Sequence, residues 1–432
     1  MSTITQSRIG DAVQVSLQFL NENFGRSAAG NTVGVRLWDG KLWPDEAPRP
    51  VTLVLNHPGA LRAMFLPSNE LGLAEAYLFN DFDIEGDIIQ IFSLADMLSA
   101  ATSGWKKKLK AVQLLFKLPE PPKHDTGRRP TNRISGERHS IQRDRQVVTY
   151  HYNVSNDFYQ LFLDKRMVYS CAYFATPQTD LDSAQTAKLD YICRKLRLQP
   201  GQKLLDIGCG WGGLVMYAAQ NYGVEATGIT LSQPQADLAC ERIAGAGLSD
   251  RCRIEVCDYR EFGEPQSYDA LVSVGMFEHV GQAKLHVYFK QAYNLVKPGG
   301  VFLNHGIASR ATDQPSNTPN FTDTYVFPDG ELVPINVTLH AAEESGFEVR
   351  DVESLREHYA LTLRHWVSNL EANHAQALDY VDEFTYRIWR LFMSGSVHGF
   401  NVGVNNIYQS LLVRPGEGGS SGLPLTRGDW YR

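Results

Sequence analysis

Leu204-Leu205-Asp206-Ile207-Gly208-Cys209-Gly210-Trp211-Gly212-Gly213-Leu214 is an apolar run that meets a glycine-dense turn and passes into a helical pattern through Met216, Tyr217 and Ala218. Strand, glycine turn and helix make the first unit of a doubly wound α/β sheet, in which ligands bind at the carboxyl ends of the strands. The glycines let the backbone approach a ligand with no Cβ in the way. A bare Gly-x-Gly pattern is shared by nicotinamide, flavin and methyl-donor sites, and it also suits a tight βα turn that holds nothing. The next strand narrows the choice. A dinucleotide site needs an acidic residue about 20 positions on to hold a ribose. Here the second strand ends Gly228-Ile229-Thr230-Leu231-Ser232-Gln233-Pro234-Gln235, with hydroxyls and amides in place of that carboxylate, so the nicotinamide reading is demoted.

Working outward, strands are expected at residues 203–207, 225–230, 252–257, 268–274 and 301–307, with helical patterns between them. The turn Lys297-Pro298-Gly299-Gly300 enters the fifth, and residues 347–352 and 406–413 supply two more. This alternation predicts one predominantly parallel sheet covered by helices. Residues 153–164 and 183–196 read as helices leading into the first strand, and 359–372 and 375–393 as long helices that cap the strand ends. Ahead of this domain, Val13, Leu17 and Leu20 suggest a helix, and Val33, Val35 and Leu37 alternate up to the hairpin turn Asp39-Gly40. Residues 51–55 read as a strand, Pro58 as a helix start, 71–87 as a helix followed by a strand edge or turn, and 88–98 as a helix. The expected organisation is a small α+β domain over 1–122, a basic and mobile linker over 123–145, and the α/β domain over 146–432.

Composition bounds the function. The 432 residues are 43 % hydrophobic and 21 % charged, an ordinary globular balance, and no run of 18 apolar residues is present to span a membrane. The first ten residues lack both the charged start and the apolar core of a secretory signal, so the cytoplasm is the expected compartment. The six cysteines include no C-x-x-C pair, and Cys252 and Cys257 face opposite sides of one expected strand. That argues against a disulfide framework or a zinc site.

The net charge of −7 conceals an asymmetry: residues 105–145 hold twelve Lys or Arg against four Asp or Glu, while the remainder has 29 basic against 44 acidic residues. Within this segment Trp105, Leu109, Val112 and Phe116 fall on one helical face, with Lys106, Lys107, Lys108 and Lys110 around it. Such a helix suits the interface of an anionic bilayer; the alternative is a helix packed on its own domain behind a lysine-rich outer face. Pro119-Glu120-Pro121-Pro122 ends it.

Five further stretches occur in order with the glycine turn: Tyr169-Ser170-Cys171-Ala172-Tyr173-Phe174, Gly228 to Gln235, Cys257-Asp258-Tyr259-Arg260, Ser273-Val274-Gly275-Met276-Phe277-Glu278-His279-Val280, and Asn304-His305-Gly306-Ile307. Together they resemble the cyclopropane-fatty-acyl-phospholipid synthases and the related mycolic acid methyltransferases, well over 146–415 and more loosely over 33–87. The resemblance implies a class I, Rossmann-like S-adenosylmethionine-dependent methyltransferase domain behind the smaller N-terminal one. It implies methyl transfer to the double bond of unsaturated acyl chains of membrane phospholipids, giving cyclopropane chains.

By the same resemblance Asp206, Gly208 and Gly210 belong to the donor site, the glycines backing its methionine part. Thr230 and Gln235 sit by the ribose, Asp258 and Tyr259 near the adenine, and Tyr169 and Ser170 close over the donor. Hydroxyls and amides bond ribose oxygens, and a carboxylate accepts from an exocyclic amine. Taken singly, Thr230 or Asp258 reads as an ordinary strand-end cap rather than a ligand contact. An alkene is a feeble nucleophile, so alignment must supply much of the acceleration, and the cation left on the chain requires a dry pocket. Tyr169, Tyr173, Phe174 and Phe277 are candidates to face that cation, or are core. The base that takes the last proton is, in the family resembled, a bicarbonate ion, whose pocket maps onto Cys171, Glu278, His305, Ile307 and Tyr359. Cys171 is not expected as a nucleophile. An ordinary pairing of Glu278 with Arg260 is the plain alternative. The family's His-Thr-Ile is His305-Gly306-Ile307 here, and residues 309–331 and 416–432 carry no assigned feature.

Two near readings share much of this pattern: a methyl- or methylene-branched acyl product by the same first step, and N-methylation of a small amine. A non-enzymatic lipid-binding module is a third. No nucleic-acid partner is expected, since the Asn- or Asp-Pro-Pro-aromatic signature of amino-group base methyltransferases is absent. A homodimer is left open.

Overall fold

The computed structural model describes residues 3–24, 32–92, 105–125, 127, 129, 135–152, 154–313 and 320–431. The chain divides into two compact units, one of Met1–Asn132, Asn317–Val326 and Asp382–His398, the other of Arg133–Ser316, Phe327–Val381 and Gly399–Arg432.

In the first unit, strands β1 (Val33–Arg36), β2 (Leu42–Trp43), β3 (Val51–Leu55) and β4 (Phe82–Gly86) form a sheet in the order β2-β1-β3-β4. The expected hairpin is present: Val35 pairs with Trp43 across the Asp39-Gly40 turn. The helix expected to start at Pro58 starts at Ala60, because Pro58 and Gly59 are spent in the turn that precedes it. The N-terminal helix runs Thr3–Phe24, and Glu70–Leu78 is capped by Asn69, whose side chain accepts from the Gly72 amide at 2.7 Å. The helical reading of 88–98 falls largely outside the described residues.

The second unit holds β5 (Lys203–Ile207), β6 (Glu225–Thr230), β7 (Cys252–Val256), β8 (Tyr268–Val274), β9 (Val296–Ser309), β10 (Glu348–Ser354) and β11 (Asn405–Val413). Their order is β7-β6-β5-β8-β9-β11-β10, with β11 antiparallel to both neighbours and the β7-to-β9 pairings parallel. Strand order reverses beside β5, so a crevice opens at the end of β5, where the glycine turn lies. Both faces of the sheet's centre are buried, which is why central strands such as β5 and β8 read as near-continuous apolar runs, while the edge strands β7 and β10 carry charged residues. Leu204, Ala270, Val272, Leu303 and Val413 enter one core, and their neighbours Leu205, Leu271, Phe302 and Leu412 enter the core on the other face.

Three expectations about organisation are corrected. Residues 135–145 are not linker: part of them opens the helix Ile141–Tyr152, and Arg143 grips Asp329 through two nitrogens, at 2.5 and 3.0 Å. Polar composition misled because these charges are spent on partners within the unit. The helix expected over 153–164 shrinks to Asn156–Gln160, capped by Ser155. Of the two long cap helices, Arg356–Ala372 stays with the large sheet, while Glu383–Asn401 belongs over most of its length to the first unit. There its Arg387 donates to the Tyr77 and Phe82 carbonyls, a contact between residues some three hundred positions apart that no local pattern announces.

The unassigned tail has a structure too. Trp430 is buried, Arg194 donates to its carbonyl at 2.7 Å, and Arg197 holds Asp429. No described helix is long and apolar enough to cross a membrane.

Candidate active site

The glycine turn after β5 takes its shape from chemistry that only glycine permits. Gly208 has φ +85, and a Cβ there would stand 2.7 Å from the Met276 side chain. The turn's amides are spent on the neighbouring strand, Gly208 and Cys209 both donating to the Ile229 carbonyl at 2.9 Å. The helix Gly213–Tyr222 then begins. Asn156 braces the turn, accepting from the Trp211 indole at 2.8 Å and donating to the Pro234 carbonyl at 3.2 Å. After β6 the chain caps the helix Gln233–Gly245 with Ser232 and places Pro234 in its first turn. Those are the start signals that put hydroxyls where a dinucleotide site has its acid.

These segments wall a cleft of about 1160 Å³ of non-atom space, part of it open to solvent. All nine residues expected at the donor site line it: Tyr169, Ser170, Asp206, Gly208, Gly210, Thr230, Gln235, Asp258 and Tyr259. The Thr230 hydroxyl donates to Gln235 Oε1 at 2.9 Å, which fixes both side chains at the wall. Asp258 does double duty, since it also caps the turn after β7 through the Arg260 amide. Arg260 takes Asp258 at 2.6 Å and Asp144 at 2.8 Å. The alternative pairing of Glu278 with Arg260 is therefore corrected: Glu278 accepts instead from the Ile307 amide at 2.7 Å.

Sequence reasoning missed several walls. Asp144, from the supposed linker, is one, and Lys188 another. Lys188 is fully buried and donates to Ser170 Oγ at 3.0 Å. Burial lowers its ammonium to about 8, and burial raises the Asp206 carboxyl to about 7, each charge opposing the other's shift. A lysine inside a helical run carries no motif that would have flagged it.

The second expected set, Cys171, Glu278, His305, Ile307 and Tyr359, does not wall that cleft. Backbone hydrogen bonds gather it in the adjoining layer. The Cys171 thiol points at the Leu355 carbonyl, 3.8 Å away, and the Tyr359 amide donates to that same carbonyl at 3.1 Å. The Leu355 amide in turn donates to Ile407, the cross-strand partner of Ile307, and Ile307 holds Glu278. On β9, His305 lies two residues from Ile307 and so on the same face of the strand. Glu278 as a residue is half-buried, yet its Oε2 is shut off from solvent and has no hydrogen-bond partner among the described residues. Burial lifts its carboxyl to about 7. His305 is fully buried and held far below the usual imidazole range, hence neutral. Its Nδ1 faces the amide nitrogen of Gln409 at 3.4 Å, an orientation of that amide that goes with a proton on Nε2, and Nε2 is also without a partner among the described residues. Burial raises the Cys171 thiol well above its ordinary range, which leaves it inert, as expected.

The aromatic candidates separate. Tyr169 walls the cleft and stacks on Trp366 at 5.1 Å, and Trp366 meets Tyr359 edge-on at 6.0 Å. Tyr173 stacks on His358, Phe174 on His365, and Phe277 packs against Tyr288 and Phe289, so these three are packing residues away from the cleft wall. Trp366, missed in the sequence, joins the two parts of the site.

The family profile described as mycolic acid cyclopropane synthetase matches residues 139–410. The chain belongs to that family. As a member of the mycolic acid cyclopropane synthetase family it is an S-adenosylmethionine-dependent methyltransferase with the class I fold. A Pseudomonas putida protein named "Probable fatty acid methyltransferase" is 42 % identical over 402 residues, 92 % of this chain and 96 % of the relative. The cyclopropane-fatty-acyl-phospholipid synthase of Escherichia coli is 36 % identical over 293 residues, 67 % of this chain and 74 % of the relative. Among solved structures, the mycolic acid cyclopropane synthase CmaA1 complexed with SAH and CTAB superposes with a TM-score of 0.59 at 35 % identity, over 62 % of this chain and 97 % of that one. For this mycolic acid cyclopropane synthetase relative, the donor fits the cleft chemically: hydroxyl and amide at Thr230 and Gln235, carboxylate at Asp258, and backbone without side chains at Gly208 and Gly210.

Proposed function

We propose that the enzyme methylates the double bond of unsaturated acyl chains in phospholipids and closes a cyclopropane ring, with bicarbonate as the base. The observation that carries this reading is that Glu278 Oε2 and His305 Nε2 are both buried without hydrogen-bond partners among the described residues, while Glu278 is held by Ile307, two residues along β9 from His305. Buried polar groups are ordinarily paired, and leaving one unsatisfied costs about 1–3 kcal/mol, so an acceptor and a donor left open together favour a small ligand that has both. Bicarbonate fits: its hydroxyl would donate a hydrogen bond to the ionised Glu278, and its oxygens would accept from His305 and Tyr359. Such an ion would supply the base that takes a proton from the newly added methyl group.

The protein's own contribution is alignment and dryness. Tyr169 and Ser170 sit over the donor cleft, and Trp366 and Tyr359 extend an aromatic wall from it. A π face there stabilises positive charge left on the chain, and exclusion of water keeps that charge from being quenched. The name of the Escherichia coli relative supports phospholipid as the substrate; the name of the Pseudomonas putida relative speaks only of a fatty acid methyltransferase.

Mass spectrometry of lipids from cells expressing the protein, with and without the Glu278→Gln variant, tests the reading. Cyclopropane chains are expected from the wild type and none from the variant, which keeps its affinity for S-adenosylmethionine in calorimetry. A methyl- or methylene-branched product would replace the ring-closing reading. Full activity of the variant, or its loss of donor binding, would remove Glu278 from the proposed role.

A further inference from the structure

The helix Trp105–Lys117 has two apolar stripes, and its own unit covers one of them. Leu114, Leu115 and the following Leu118 are buried. Three members of the stripe with the regular four-three-four spacing face outward instead, Trp105 at 71 % exposed, Leu109 at 52 % and Phe116 at 59 %, while Val112 between them is half-buried. A surface helix ordinarily turns its periodic apolar set to the core, and large rings left together in water mark an interaction surface. Lysines flank the stripe. Lys106, Lys107, Lys108, Lys110 and Lys117 are all exposed, and the helix contains no acidic residue. Lys110 also bridges Glu22 at 2.8 Å, and the Arg62 guanidinium lies 5.4 Å from the Phe116 ring centre.

From this geometry we infer that the helix is the enzyme's docking surface for an anionic phospholipid bilayer, lying in the plane of the headgroups. Trp105, Leu109 and Phe116 enter the acyl boundary, and Lys106, Lys107, Lys108 and Lys110 meet the phosphates. Charge complementarity selects this occupant: a second copy docked through the same helix, as a two-fold dimer requires, would oppose lysines to lysines, whereas anionic headgroups attract each of them. An indole at one end of the stripe suits the boundary, since its ring is apolar and its N–H is wet. The inference draws on the proposed phospholipid substrate only for its purpose, because docking is read without turnover.

The test is sedimentation of the full-length protein with vesicles of phosphatidylcholine alone or mixed with phosphatidylglycerol. Binding is expected to require the anionic lipid and to fall steeply as salt rises. The combined variant Trp105→Ser, Leu109→Ser, Phe116→Ser is expected to lose at least a hundredfold in partitioning, and Lys106→Gln, Lys107→Gln, Lys108→Gln about a hundredfold together with most of the salt dependence. Acyl-chain bromination is expected to quench wild-type fluorescence by a component that Trp105→Phe lacks. Both combined variants are expected to keep wild-type turnover on detergent-dispersed phospholipid, which separates loss of docking from failure of the chemistry. Unchanged vesicle binding in both variants overturns the inference. So does a concentration-dependent dimer, seen by light scattering, that the serine variant abolishes.

Discussion

At the scale of single residues the site is a set of buried titratable groups whose protonation the fold has moved. The Glu278 carboxyl sits at about 7 against an ordinary 4.5. A group whose folded value is raised contributes stability fully present below 4.5 and lost as pH rises through 7, because the folded state then has to hold a buried charge. Glu278→Gln removes that charge while its carbonyl still accepts from Ile307. The variant is expected to gain stability relative to wild type between pH 5 and pH 8, by up to about 3 kcal/mol, in denaturant titrations at the two values. In wild type the role proposed for Glu278 needs the ionised form, so turnover is expected to fall as pH drops through about 7. Lys188 makes a second residue-scale case. Replacing it by Met leaves Ser170 Oγ without its 3.0 Å ammonium partner and leaves Asp206 without its neighbouring cation. A charged hydrogen bond in such a place is worth roughly 1.5–3 kcal/mol, so donor affinity is expected to weaken ten- to hundredfold in calorimetry. Retention of wild-type affinity would show that the lysine serves packing alone.

The elements show what a sequence announces and what it hides. The central strands of the large sheet were legible as short apolar runs between turn signals, as in Leu204-Leu205-Asp206-Ile207, and the more polar β7 and β10 by their place in the alternation of strands and helices. The donor residues were legible because glycine density marks the turn after β5, Thr230 and Gln235 flank the helix start after β6, and Asp258 both caps the turn after β7 and lines the cleft. The acceptor side was harder to read. Tyr173, Phe174 and Phe277 offered the same signal as Tyr169, and only packing tells them apart; Trp366 offered none. Gly306 departs from its family's threonine, and the structure gives the departure a physical setting. A Cβ at Gly306 would lie 2.9 Å from the Phe277 ring, one residue before Glu278. Gly306→Ala is therefore expected to cost about 1–3 kcal/mol in stability and to lower kcat more than it weakens donor binding, since the displaced ring abuts the acceptor layer and not the cleft. Thermal unfolding and a kcat-against-KM comparison check this together.

For the molecule as a whole, the consequential feature is that the smaller unit is discontinuous. A reading by composition places a domain over 1–122, but the compact unit draws in Asn317–Val326 and Asp382–His398. Those insertions carry internal supports. Glu75 accepts from the Tyr325 hydroxyl at 2.8 Å, and Arg387 is buried with donors on the Tyr77 and Phe82 carbonyls and on Asp83. Arg390 donates to the Tyr77 hydroxyl and the Ile84 carbonyl. Removing the helix that bears these arginines would strip the Phe82 and Ile84 carbonyls along β4 and the Tyr77 hydroxyl of these donors, at about 1–3 kcal/mol for each group left unpaired, and would uncover the apolar surface beneath it. A domain of this size holds only about 5–15 kcal/mol in reserve, so the loss is comparable to the whole. A fragment of residues 1–132 expressed alone is accordingly expected to show no cooperative thermal transition. Within the full chain, Arg387→Met is expected to lower stability by about 2–4 kcal/mol, because it strips several partners at once and keeps only the aliphatic stem. A fragment that folds cooperatively, together with a neutral Arg387→Met, would mean that the N-terminal segment carries its own core and that the returning helix merely rests on it.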